Sequence, residues 1–115
     1  MRTILAQLNK TQGIWGSMVA GRVGLTIAAD FSNEVSEAQL GAISSQMLVA
    51  LDGALKRINL GSFKRFLIGG SESKLALIAV NQVILIVMMR RDANMGLINV
   101  EIKNAAEAVA KNTKM

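Results

Sequence analysis

The side chains of this chain that could do chemistry are its carboxylates and its serines. Its eight Asp and Glu residues are scattered, without the paired spacing that acid–base catalysis between two carboxylates would need. The sequence has no His and no Cys, so the serines have no imidazole to activate them and no thiolate is available as a nucleophile or metal ligand. These residue types argue against an active site and against a bound metal ion.

Glycine-rich segments are the other feature that could bind a cofactor, here through phosphate groups. Gly16, Gly21 and Gly24 lie in a predicted hairpin and do not open a helix, as a dinucleotide-binding fingerprint requires. The turn Gly69-Gly70-Ser71 is not followed by Lys-Ser or Lys-Thr, so it is not a phosphate-binding loop. We therefore expect no cofactor and no enzymatic activity, and binding is the function that remains.

Positive charge is the feature most relevant to binding. The net charge is +5, and basic residues occur as the pairs Lys56-Arg57, Lys64-Arg65 and Arg90-Arg91. Such charge is often simply solvated, but it can also contact an acidic protein partner or nucleic acid. Nucleic acid is the weaker interpretation, because base stacking needs exposed aromatic rings. Phe63 and Phe66 flank the second pair and are expected to be buried.

The elements that position these residues are defined by the apolar run LALIAVNQVILIVMM at residues 75–89. The run is shorter than the roughly 18–20 residues that a membrane-spanning helix needs, so we predict no membrane span. Two strands joined by a turn at Asn81-Gln82 fit better. Both strands are apolar at nearly every position, which indicates that both faces of the sheet are covered.

The remaining pattern predicts a single α+β domain over residues 1–115, with the order α-β-β-α-β-β-β-α. The expected architecture is one five-stranded antiparallel sheet with helices on both faces. The predicted helices cover residues 3–12, 36–58 and 96–111, and the predicted strands cover residues 14–20, 25–29, 63–68, 74–80 and 83–89. The first residues do not resemble a signal peptide, so a cytoplasmic location is expected.

The long helix at residues 36–58 has two distinct sides on a helical wheel. Its predicted core side carries Leu40, Ile43, Met47, Leu51, Ala54, Leu55 and Ile58. Its opposite side carries Ala38, Ala42, Ser45, Val49, Asp52, Gly53 and Lys56. The opposite side is small and nearly uncharged, which allows a second helix to approach closely. The alternatives are that a loop covers this side or that it is simply exposed.

The strand at residues 63–68 follows that helix directly and is a candidate dimer interface. An edge strand has free N–H and C=O groups that invite pairing with another strand. We predict pairing with the same strand of a second protomer, through Phe63, Arg65 and Leu67. The alternative is that the charges of Lys64 and Arg65 prevent pairing.

The order and length of these elements resemble the roadblock family, named for a light chain of dynein. The resemblance is carried by residues 13–19 (GIWGSMV), which follow a short helix, and by their hairpin partner, residues 24–28 (GLTIA). It continues through the apolar positions of the long helix, the strand FKRFLI at residues 63–68, and NMGLI at residues 94–98. Longin and profilin domains have related architectures and are the main competing folds.

The resemblance implies a non-catalytic dimer in which the third strands of two protomers pair and the central helices lie across each other. Roadblock dimers are platforms for partners, commonly Ras-like small GTPases or motor and scaffold complexes. We therefore expect a homodimeric regulatory or scaffold protein that binds a small GTPase and modulates its state. A basic nucleic-acid-binding protein is the alternative.

Overall fold

The computed structural model describes residues 1–32 and 34–113. The helices are α1 (Arg2–Asn9), α2 (Glu37–Arg57) and α3 (Met95–Asn112). The strands are β1 (Ile14–Gly21), β2 (Thr26–Phe31), β3 (Arg65–Gly69), β4 (Ser73–Val80) and β5 (Val83–Arg90). The order of elements predicted from the sequence is confirmed.

The strands form one antiparallel sheet in the order β2-β1-β5-β4-β3. β5 therefore lies in the middle of the sheet, and β2 and β3 form its edges. β4 and β5 pair up to Val80 and Val83, on either side of a turn in which Asn81 has a φ of 53°. The hairpin predicted for residues 75–89 is confirmed. None of the described helices combines the length with the apolar character that a membrane-spanning helix needs.

The two faces of the sheet carry separate apolar clusters, because successive residues of a strand point to opposite faces. Leu85 of β5 lies in one cluster with Ile98 of α3 and Leu5 of α1. Its neighbour Ile84 lies in the other cluster, where Leu48 of α2 is buried. The sheet is thus covered by α1 and α3 on one face and by α2 on the other. The three-layer arrangement predicted from the apolar strands is confirmed.

The predicted start of α2 at Ser36 is confirmed, whereas other element ends differ from the prediction by a few residues. α2 begins after Ser36, whose hydroxyl oxygen accepts the N–H of Gln39 at 3.3 Å and so caps the helix. β2 extends past the predicted residue 29 to Phe31, which pairs with Gly16 of β1. α1 ends at Asn9, earlier than predicted.

β3 begins at Arg65, so the assignment of Phe63 to a strand is wrong. The N–H of Phe63 donates to Oδ1 of Asp52 at 2.8 Å and not to a neighbouring strand. The other carboxylate oxygen of Asp52 lies 2.9 Å from Nζ of Lys56. The side chain of Phe63 is 5% exposed and packs in the cluster beneath α2. Asp52 therefore connects the last turns of α2 to the start of β3.

The orientation of α2 about its own axis also differs from the prediction. Ile43 and Ile58 were predicted on the core side, but they are 44% and 63% exposed. The buried residues of α2 are Gly41, Ser44 and Leu48. The other predicted core residues of this helix are half-buried at the margin of the cluster or beside it: Leu40, Met47, Leu51, Ala54 and Leu55.

The cause of this orientation is a close contact between α2 and the β1–β2 turn. A Cβ atom on Gly41 would overlap the carbonyl oxygen of Gly24. Gly24 has a φ of 95°, a conformation that glycine adopts at little cost. The hydroxyl of Ser45 donates to the carbonyl oxygen of Arg22 in the same turn. These contacts direct the small residues of α2 toward the protein and turn Ile43 outward.

Replacing Gly41 with Ala is expected to lower the free energy of unfolding by about 1–3 kcal/mol, because the added methyl group displaces α2 from the turn. Gly53 in the same helix is the matched control, since a Cβ there meets only Nη1 of Arg57, at 3.9 Å. Gly53→Ala should raise the free energy of unfolding by about 0.5–1 kcal/mol. Urea denaturation measures both changes. A Gly41→Ala protein as stable as the wild type would contradict the packing argument.

Asp52 makes the stability of the protein depend on pH. The N–H of Phe63 and, next, the ammonium group of Lys56 lower the pKa of Asp52 below its usual value of 3.8. Because the folded-state pKa is lowered, the ionised carboxylate stabilises the fold above the unfolded-state pKa. That stabilisation is lost as the pH falls through the folded-state pKa.

Two substitutions at Asp52 separate its charge from its role as a hydrogen-bond acceptor. Asp52→Asn keeps an oxygen that can accept the N–H of Phe63, whereas Asp52→Ala removes both the charge and the acceptor. Both variants should be less stable than the wild type at neutral pH, the Ala variant more so. The difference between the wild type and the Asn variant should shrink below pH 3.8. Thermal unfolding across this range measures it, and a constant difference would show that the charge is not responsible.

Candidate protein-interaction surface

The side of α2 that the sequence assigns to a partner helix lies partly at the molecular surface. Ala38 and Ala42 are exposed, and Val49 retains 65% of its accessible surface. Lys56 is exposed too, and its ammonium group pairs with Asp52. Most of this exposed strip is small and uncharged, as close contact between helices requires.

The inner residues of the same predicted side are engaged within the chain. Ser45 donates to the β1–β2 turn, and Asp52 accepts from Phe63. Both side chains hold α2 in position against its neighbours. Gly53 is half-buried beside Arg57. The structure therefore divides the predicted strip into an outward part and a part that positions the helix.

The outward side of α2 also contains an apolar residue that the sequence pattern did not assign to it. Ile43 is exposed next to Ala42, and Ala50 and Gln46 are exposed on the following turns. The small residues at positions 41, 44 and 45 are the sequence signal from which the orientation of α2 could have been predicted. Small residues mark the side on which a helix can approach a neighbouring backbone closely.

β3 presents a second exposed element. Within the described residues it pairs with β4 alone, so the main-chain groups of its outer edge face away from the sheet. Phe66 pairs with Leu77 and lies on the α2 face, whereas Leu67 pairs with Ala76 and lies on the α3 face. Phe66 is 37% exposed and Leu67 is 45% exposed. An edge of this kind is open to pairing with another strand.

The sheet face under α2 is incompletely covered near β3. Leu75 and Ala79 of β4 and Met88 of β5 are only half-buried, although each belongs to an otherwise apolar strand. On the other face, which α1 and α3 cover, Ala76 and Ile78 of β4 are buried. We call the outward side of α2 and the open edge of β3 together the α2–β3 surface. On the α2 side it is represented by Ala42, Ile43, Val49 and Phe66, whereas the predicted interface residue Leu67 lies on the other face of β3.

The three basic pairs do not form one patch. Lys56-Arg57 and Lys64-Arg65 lie at the two ends of the connection between α2 and β3. The Arg65 guanidinium turns to α3 and donates to Oδ1 of Asn99 at 2.9 Å. Arg90-Arg91 lie at the opposite end of the sheet, where β5 ends.

At that opposite end, both arginines make contacts within the chain. Nε of Arg90 lies 3.1 Å from a carboxylate oxygen of Asp92, and Nη1 of Arg91 lies 3.4 Å from the carbonyl oxygen of Ser71. A continuous basic path over all three pairs, as an extended nucleic-acid site would use, is therefore absent from the residues that the structure describes.

Comparison with known proteins identifies the family. Residues 2–89 match the model of the Roadblock/LC7 domain. An uncharacterized protein of Methanocaldococcus jannaschii is 35% identical over 106 residues, which make up 92% of this chain and 93% of the relative. The match thus extends over nearly the whole of both chains.

Solved structures support the same fold. The Roadblock/LC7 domain from Streptomyces avermitilis superposes with a TM-score of 0.90 at 14% identity, covering 97% of this chain and 96% of that chain. Myxococcus xanthus MglB superposes with a TM-score of 0.87 at 21% identity, covering 95% and 93%. Profilin IB from Acanthamoeba castellanii, a member of a competing fold, reaches a TM-score of 0.70 at 15% identity, covering 97% and 98%. The sequence match and the closer superposition agree, and this chain belongs to the roadblock/LC7 family.

Proposed function

We propose that this protein is a non-catalytic homodimer that binds a Ras-like small GTPase and modulates its state. The observation that carries the proposal is the α2–β3 surface, which combines an apolar helix face with an unpaired strand edge in a roadblock fold. Two copies would pair their β3 strands and lay their α2 helices across each other. This arrangement is the one that family membership implies.

Three physical features support dimerisation through this surface. The β3 edge offers unpaired main-chain groups to a second strand. A second α2 packing beside the first would bury the half-buried side chains near β3 on the α2 face. Each Å² of apolar area removed from water stabilises the dimer by about 25 cal/mol. The small side chain of the exposed Ala42 lets the two helix backbones approach.

A GTPase partner is supported by family membership and is consistent with the charge of the protein. A net charge of +5 attracts an acidic partner and increases the rate of encounter. Regulation by binding alone requires only that one nucleotide state be bound better than the other. If the dimer stimulates GTP hydrolysis, it would do so by holding the switch loops of the GTPase in position.

The dimer is tested by two matched substitutions of exposed valines. Val49→Glu places a charge in the proposed helix contact and should give a folded monomer, since burial of an unpaired charge costs several kcal/mol. Val100→Glu is the control, because Val100 is 54% exposed on α3, on the opposite face of the sheet. It should remain a dimer. Light scattering at micromolar concentration measures both, and a monomeric wild type would refute the proposed dimer.

The partner is tested with purified Ras-like GTPases of the same organism, each loaded with GDP or with a non-hydrolysable GTP analogue. The affinity of saturable binding should differ between the GDP-bound and GTP-analogue-bound states. It should be lower in the Val49→Glu variant. Short DNA and RNA probes should bind no more tightly than about 10 μM at physiological salt, in the range of non-specific contacts. Tight nucleic-acid binding that Lys64→Ala with Arg65→Ala abolishes would instead favour the alternative function.

A further inference from the structure

A groove of about 390 Å³ lies between α3 and the edge strand β3, on the face of the sheet opposite to α2. Its apolar lining includes Ile78 of β4 together with Ile102, Ala106 and Ala110 of α3. α3 packs on β4 and leaves the adjoining face of β3 open. We call this feature the α3–β3 groove.

The charged residues of the α3–β3 groove are mainly cations. Lys64, Arg65 and Lys103 line it, and Glu107 is the one carboxylate among its described lining residues. Three cations against one carboxylate leave an excess of two positive charges beside an apolar floor. All three cations are exposed, so the attraction of an anionic group to them is screened by salt.

The guanidinium of Arg65, a lining residue of the groove, extends from β3 to α3. Its Nη2 atom donates to Oδ1 of Asn99 at 2.9 Å, across the space between β3 and α3. A guanidinium group has five N–H donors, so further donors remain for a ligand. A guanidinium that is held in place loses less side-chain freedom on binding a carboxylate than a free one would.

We propose that the α3–β3 groove binds an acidic peptide segment of a second protein. A Glu or Asp side chain of the segment would bind Arg65 and Lys103. A neighbouring aliphatic side chain would pack against Ile78 and Ala106. The segment therefore needs a carboxylate and an apolar residue close together in its sequence.

The lining of the groove favours a peptide over nucleic acid. None of its described lining residues is aromatic, so unstacked bases would find no stacking platform. An apolar floor next to Arg65 and Lys103 matches an aliphatic side chain next to a carboxylate better than it matches a phosphate backbone. Charge complementarity and the apolar floor thus point to the same class of ligand.

The groove is separate from the α2–β3 surface. It opens on the face of the sheet opposite to α2, and strand pairing would use the outer main-chain edge of β3 and leave this face free. A peptide in the groove would therefore be bound in addition to a partner on the α2–β3 surface. This inference does not rest on the proposed GTPase partner.

The experiment uses the whole chain labelled with ¹⁵N and a peptide of about ten residues in which Glu-Leu pairs alternate with Ser-Gly pairs. The same peptide with Gln in place of Glu is the uncharged match. Amide shifts are followed by NMR during titration at physiological salt. Saturable shifts should be confined to β3, the adjoining end of β4 and the second half of α3. The Gln peptide should bind at least about tenfold more weakly.

A pair of charge reversals on α3 provides the control. Lys103→Glu changes a residue that lines the groove, whereas Lys111→Glu makes the same change in net charge on the same helix outside the lining. Lys103→Glu should weaken peptide binding roughly tenfold, and Lys111→Glu should change it by no more than about twofold. Light scattering should show the oligomeric state of the wild type in both variants, so a failure here is distinguishable from a failure of the proposed dimer.

Three results would overturn the proposal. The first is the absence of shifts up to about 5 mM peptide, a concentration above that of even weak specific binding. The second is equal weakening by Lys103→Glu and Lys111→Glu, which would mean that net charge alone attracts the peptide. The third is tighter binding of a single-stranded oligonucleotide to the same residues, which would assign the groove to nucleic acid.

Discussion

The structure depends on one constraint, which is that the central strand β5 is apolar on both faces and must be kept from water on both. On one face α1 and α3 together complete the cover, and Leu85, Val87 and Met89 are fully buried. On the other face α2 covers the sheet alone. Its position is fixed by the contact of Gly41 with Gly24, which leaves the region near β3 half-covered. The incomplete face is the physical reason to expect a second copy there.

Most of the fold could be predicted from the sequence because local signals agree with the tertiary structure. The continuous apolar run at residues 75–89 required a doubly covered sheet, and Asn81-Gln82 marked its turn. Ser36 marked the start of α2. The start of β3 could not be predicted in the same way. Phe63 is an aromatic residue of the type common in strands, but its N–H donates a hydrogen bond to Asp52. Only the tertiary structure reveals that contact.

The candidate site was predictable only in part, for a related reason. A helical wheel shows which residues of α2 share a side, but it does not show which side meets the sheet. That orientation comes from the contact with the β1–β2 turn, so Ser45 was expected outward and Ile43 inward, whereas Ser45 faces the turn and Ile43 is exposed. The α3–β3 groove has no local signal, because Arg65 and Lys103 meet only when α3 packs on the sheet.

The separation of charge from the apolar surface is compatible with both proposed contacts, a second copy of the chain and an acidic partner. Two copies that each carry a net charge of +5 repel each other, so a dimer is stable only if its cations lie away from the contact or are neutralised. Lys56, beside the helix face, is paired with Asp52, and Arg65, on the edge strand, turns to Asn99 on the opposite face. Self-association through α2 and β3 should therefore depend mainly on apolar burial and little on salt. Binding of acidic partners to the unneutralised cations should weaken as salt increases, because exposed charges are screened.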